Sequence, residues 1–227
     1  MAAEAGRVRH GASVDEATAI LDESAYVDGE DAYLDWLKER HARAVAALDG
    51  VHFDIAPPLR AIDVVLARSS TSGAAYYTPP TEDLSRPGRA LYAERLADEL
   101  GWFDEPGTRL GMLAASALRA ARVVIDIGVH LDLPLPDGSR WSFEKACQVL
   151  RERGRAEPGR VHAEVVRYFG WPAQAIAYKL GERAWLTARA EAARRPGFDL
   201  KRWHTAALSL GPVGLDSLAA ELRAIPA

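Results

Sequence analysis

The stretch Glu105 to Leu131 restricts the fold of this chain more than any other, because it reads as a long helix that is apolar nearly all round. At about 100° per residue, Leu110, Leu113, Ala117, Ala121, Val124 and Gly128 share one face. Leu118, Ile125 and Val129 extend that face on one side, and Val123 and Ile127 approach it from the other. Arg119, Arg122, Asp126 and His130 occupy the remaining stripe, all within about 80° of arc. A helix of this kind belongs in an interior, so its polar groups must be paired internally or line a cavity. Two readings follow. In the first, Arg122, Asp126 and His130 form an ion-pair ladder at i,i+4 spacing. In the second, the two guanidiniums grip a carboxylate in a ligand pocket and His130 handles protons. Asp126 and His130 also have a spacing that suits metal ligation, but two ligands without a third make a poor site.

The remainder is also predominantly helical. Ser13 is placed to cap a first helix, with Glu16 at the capping-box position. Asp31 to Leu48 carries Tyr33, Leu34, Leu37, Val45 and Leu48 at helical spacing and stops at Gly50. Pro57-Pro58 breaks the chain; Ala61 to Ala67 and Ala74 to Thr78 then read as two strands of a hairpin, and Thr78 to Gly88 as a proline-rich loop. Helices are expected over Ala90–Leu100, Ser142–Arg153, Gly159–Phe169, Pro172–Ala193, Leu200–Leu210 and Leu215–Ala224, with Pro172 at a first helical position. The fold class is therefore mainly α, a multi-helix domain with a minor β-hairpin. The 227 residues are read as one domain, residues 13–88 forming its N-terminal helices and hairpin and residues 89–227 its helical C-terminal part.

With 28 Lys and Arg against 32 Asp and Glu, the chain lacks the concentrated basic surface that phosphate backbones require, so nucleic acid is not an expected partner. The closest basic run, Arg151 to Arg160, is interrupted by Glu152 and Glu157. No window is apolar for long enough to span a bilayer and the first residues hold no signal-type apolar run, so the expected location is the cytoplasm. Cys147, the only cysteine, sits on the helical side of Phe143 and Leu150 and reads as a buried, inert thiol. His10, His41, His52, His162 and His204 are scattered without metal or triad spacing, which assigns them to surface or cap positions. Tyr178, one turn from Gln174 and continued by Gly181 and Trp185, reads as a core tyrosine or a pocket residue. Tyr76 and Tyr77 form either a pocket wall or an aromatic strand end. No glycine-rich phosphate loop and no Gly-x-Ser-x-Gly elbow is present.

The run Leu118-Arg-Ala-Ala-Arg-Val-Val-Ile-Asp-Ile-Gly-Val-His130 resembles the bacterial domain-of-unknown-function family eight-eight-five, whose members look like zinc-dependent peptidases or related hydrolases. Other segments agree in order: residues 27–33, His52 to Ile55, Tyr76 to Pro80, Asp83 to Gly88, Ala90 to Leu96, Gly170 to Lys179 and Leu208 to Gly211. Family members are about twice as long or more and carry a His-Glu-x-x-Pro-Gly-His helix supplying two zinc ligands and a general base. That helix belongs between Ser85-Arg86-Pro87-Gly88 and Ala90-Leu91-Tyr92-Ala93-Glu94, which here are joined directly, and Pro87 stands where a third ligand, a Glu, is expected.

The resemblance implies a shortened relative without zinc or any other cofactor, in which His130 and Tyr178 are what remains of the catalytic groups. Arg119, Arg122, Asp126, Tyr76 and Tyr77 are then candidates for binding a small carboxylate or peptide-like ligand. Loss of the zinc helix is expected to uncover apolar faces of the Glu105 and Pro172 helices, which implies a homo-oligomer or a partner chain over the gap. Two alternatives stand beside this reading: a hydrolase of peptide or amide bonds whose site is completed by another chain, and a structural helical interaction module.

Overall fold

The computed structural model describes residues 27–60, 85–211 and 213–226, together with Glu16, Ala19, Ile20 and Glu23. The expected hairpin, Tyr76 and Tyr77 and the Ser13 cap lie outside these residues. Among the described residues the fold is mainly helical: α1 (Glu30–Leu48), α2 (Pro57–Arg60), α3 (Ser85–Glu99), α4 (Pro106–His130), α5 (Phe143–Glu152), α6 (Pro158–Gly170), α7 (Ala177–Ala192), α8 (Leu200–Ser209) and α9 (Leu215–Ala224).

Local chemistry sets these boundaries. Gly50, at φ +75°, follows the end of α1, a conformation that costs glycine nothing. The Ser142 hydroxyl accepts the Lys145 N–H at the start of α5, and the Asp199 carboxylate accepts the Arg202 N–H at the start of α8. Pro158 opens α6, and the Glu157 side chain caps Gly159. Two proline sites turn out less disruptive than their sequence suggested. Pro57-Pro58 begins a single helical turn, and α3 starts at Ser85, so Pro87 lies in its first turn instead of in the preceding loop. In both places the missing N–H would have had no helical partner.

Pro172 behaves in the opposite way. α7 begins at Ala177, not at Pro172, because Ala173 takes a left-handed conformation (φ +67°) that no α-helix accommodates. Gln174 consequently precedes the helix that carries Tyr178.

Two apolar cores result. The first packs α3, α7, α8 and α9 around Tyr92, Trp185, Trp203, Leu218 and Leu222. Its two tryptophan rings meet edge to face at 5.7 Å, a favoured aromatic geometry. The second packs α4 on α5 and α6 through Ala121, Ile125, Leu150, Val165 and Tyr168. Helix α7 touches both α3 and α4 and so joins the cores. His204 lies in the first core, 2% exposed and 2.6 Å through Nε2 from the Tyr92 hydroxyl, which corrects its assignment to the surface. The ring is buried because α8 also buries Trp203 and Ala207 on that face.

Within the second core α4 comes so close to Trp141 that a Cβ on Gly128 would lie 2.3 Å from the indole Nε1. Gly128→Ala is therefore expected to cost about 1–2 kcal/mol, read as a lower thermal midpoint, since the half-buried indole can shift only in part. An unchanged midpoint would show that Trp141 is free to swing away.

Candidate functional site

The fold brings Arg119, Arg122, Asp126 and His130 onto the inner side of α4, and each takes its partner from another element. The Arg119 guanidinium donates two bonds to Glu94 of α3, at 3.0 Å to Oε2 and 2.8 Å to Oε1, and lies 5.7 Å from the centre of the Tyr178 ring. This is the planar fork-to-fork geometry in which arginine exceeds lysine. Arg122 donates through Nε to the Tyr168 hydroxyl at 2.6 Å and through Nη2 to Glu164 Oε2 at 2.7 Å. The Tyr168 hydroxyl in turn donates to the same Glu164 oxygen, which also accepts from Arg167 Nη2 at 2.8 Å. Arg167 Nη1 reaches Gln174 Oε1 at 2.5 Å, tying α6 to the segment ahead of α7.

The electrostatics follow from this convergence. Burial pushes the Glu164 carboxyl upward, but the Tyr168 hydroxyl and the Arg122 and Arg167 guanidiniums outweigh it and hold the group below the ordinary glutamate value. Burial, reinforced by the bond to Glu164, raises the Tyr168 phenol well above its ordinary value. Tyr168 is thus a neutral donor locked between a cation and an anion.

Asp126 is 3% exposed. Its Oδ1 accepts the Ala173 N–H at 3.0 Å, and this bond holds Ala173 in its left-handed conformation. Its Oδ2 is buried with no hydrogen-bond partner among the described residues. His130 lies on the solvent-exposed end of the stripe, and its Nε2 is 2.9 Å from the Tyr168 carbonyl oxygen. A carbonyl only accepts, so Nε2 carries the proton.

The ladder expected within α4 is therefore replaced by bonds between helices: Arg122 reaches α6 instead of Asp126, and Asp126 reaches a backbone N–H instead of His130. His130 and Tyr178 are not brought together. Tyr178 sits at the Arg119 level, and His130 lies eleven residues, about 16 Å of helix axis, further along. Sequence reasoning passed over Glu94, Glu164 and Tyr168. The i,i+4 spacing of Glu164 and Tyr168 was the available signal, but which helix they face is a tertiary fact.

A second network adjoins the first. Glu182, buried on α7, binds Arg95 at 2.7 Å and Lys179 at 2.8 Å, and Lys179 also reaches Ser116 at 3.1 Å. Among the described residues no three His, Cys, Asp or Glu side chains converge as metal ligands. Nor is any helix among them long and apolar enough to cross a membrane. Cys147 is half-buried, and burial raises its thiol above the ordinary value.

Residues 90–222, more than half of the chain, match the family described as bacterial protein of unknown function (DUF885). The chain belongs to this family. The match starts at Ala90, inside α3, and takes in both polar networks. The resembling segments ahead of Ala90 lie outside it. Among solved structures, the DUF885 chain is similar to a candidate lipoprotein from Colwellia psychrerythraea, with 36% identity and a TM-score of 0.54. That likeness covers 62% of this chain and 23% of the other, so the matched part spans less than a quarter of the solved protein's length. No curated protein matches.

Proposed function

We propose that this chain is a non-catalytic, shortened relative of zinc metallopeptidase-like hydrolases, in which the groups that would meet substrate hold helices together instead. The observation that carries this reading is the engagement of both guanidiniums on α4 by carboxylates of the same chain. Arg119 is engaged by both oxygens of Glu94, and Arg122 by Glu164 and the Tyr168 hydroxyl. A guanidinium whose charge is already neutralised by a carboxylate of its own fold attracts an incoming carboxylate or a developing oxyanion less strongly. The junction in α3 supports the same reading. One helix runs from Ser85 through Pro87, Gly88 and Ala90 to Glu99, with no interval for a two-histidine segment.

A second reading, retention of a peptide-like ligand, draws support from Asp126 Oδ2, which an N–H of such a ligand would satisfy.

The test is metal content. Purified protein incubated with zinc and then desalted is expected to retain less than about one zinc per ten chains by mass spectrometry, because intact three-ligand sites hold zinc through desalting. Stoichiometric zinc would reject the proposal and direct mutagenesis first to Asp126 and His130.

A further inference from the structure

The loop after α1 is a turn that closes on itself and lies against α8. The Gly50 N–H donates to the Phe53 carbonyl at 2.9 Å, the Asp49 carboxylate accepts the Ile55 N–H at 2.9 Å, and Arg60 of α2 pairs with Asp49 at 3.0 Å. The turn presents three side chains to one face of α8. The His52 ring meets the His204 ring at 5.7 Å and Phe53 meets it edge-on at 6.3 Å. Asp54 pairs at 2.7 Å with Lys201, three residues before His204. α1 itself buries none of its 19 residues. A helix of that length is marginal in water by itself, so what holds the turn to α8 also steadies α1.

Protonation opposes the contact between the two imidazoles. Around them stand Tyr92 and Glu99 of α3, Arg189 of α7, Lys201 of α8 and Asp54 of the turn. Glu99 is paired with Arg189 through both oxygens, at 3.0 and 2.8 Å, and Asp54 with Lys201. Charging both rings therefore adds net positive charge beside Arg189. Glu99 and the His52 backbone offset only part of this. Burial and the Arg189 charge depress both imidazoles, His204 from 6.5 to about 4.

We propose that the His52–His204 contact is an acid-released latch: protonation of the two rings detaches the turn of residues 49–55 from α8, and α1 with it, while the body from α3 to α9 stays folded. The latch opens before the body because release exchanges only the contacts of the turn for water, whereas unfolding the body gives up both apolar cores. A ring depressed while latched binds its proton more readily once released. The latch is therefore fully closed above pH 6.5 and weakens as the pH falls toward 4. With His204 returned to its ordinary value on release, the closed-to-open ratio falls more than about tenfold between pH 7 and 5. No residue of the α4 stripe takes part, so the latch does not depend on the non-catalytic reading.

Hydrogen exchange at pH 7 and 5, followed by mass spectrometry and corrected for the intrinsic pH dependence of exchange, reads the latch. Amides of residues 33–55 are expected to lose more than about tenfold in protection, while those of α7 and α9 remain the better protected at both values. Asp54→Asn removes the ion pair but neither imidazole. It is expected to lower the protection of residues 33–55 at both pH values and to leave the ratio between them unchanged. His204→Gln is expected to abolish the pH response, and His52→Gln, at the more exposed of the two rings, to reduce it. Exchange of residues 33–55 and of α7 at one common rate would overturn the proposal, because the two parts would then open together. So would a pH response unchanged in both histidine variants.

Discussion

Lowering the pH from 7 to 4 is expected to remove roughly 3 kcal/mol of stability through His204 alone. Burial, with the Arg189 and His52 charges adding to it, depresses the imidazole from its ordinary value of 6.5 to about 4. The ring sits between the Tyr92 hydroxyl of α3, His52 of the loop after α1, and Trp203, with Arg189 of α7 and Glu99 of α3 at the edge. A histidine whose folded value lies below its unfolded one binds protons more readily when unfolded. Its contribution is therefore complete above pH 6.5, declines as the pH falls toward 4, and is gone below that. His52, also depressed by burial, adds to the same limb.

The carboxylates act in a different window. Glu164 and Glu182 are held below their ordinary value of 4.5, so their stabilisation is complete well above pH 4.5 and is lost as the pH falls from there through their lowered folded values. Thermal midpoints measured at half-unit steps are expected to fall between pH 6.5 and 4.5. In His204→Gln, whose amide can bond the Tyr92 hydroxyl in either direction, that limb should flatten. Parallel slopes in the two proteins would rule out His204 as the source.

How much of this was legible beforehand differs by level. The helices of the C-terminal part were recovered to within a residue or two wherever apolar periodicity and a cap agreed, as at Ser142 and Asp199. They were misplaced where a tertiary bond overrode the local signal. Pro172 is a good first helical residue by itself, but the Asp126 carboxylate, 47 positions earlier, pins Ala173 in a conformation that delays α7. The polar stripe was legible as four residues on one arc. Its partners were not, because helical spacing states what a residue shares a face with and not what that face meets. The same limit reversed one expectation. Leu113 and Val124 belong to the apolar face that was assigned to the interior, yet they point outward. Four polar groups with partners on α3, α6 and the Trp171–Ile176 segment fix the rotation of α4 about its axis, and only Ala121, Ile125 and Gly128 of the apolar face are then buried.

Arg122→Ala separates an architectural stripe from a binding one. The substitution removes two of the bonds converging on Glu164 and Tyr168 and leaves both groups shielded from water, though Arg167 still pairs the carboxylate. Breaking one partner of a pair this far from solvent costs more than the pair's net worth, because the residual charge stays desolvated. About 3 kcal/mol is the expected loss in denaturant unfolding, reduced in Arg122→Ala/Glu164→Gln, where the half-buried carboxylate is gone and Arg167, the more exposed of the two guanidiniums, keeps its bond to Gln174. The coupling between the two changes is the informative quantity. A positive coupling above about 1 kcal/mol places the energy of Arg122 in holding α4 to α6. If Arg122→Ala instead leaves stability unchanged and abolishes saturable binding of a dipeptide or small carboxylate, the guanidinium serves a ligand, and the stripe is the remnant of a working cleft.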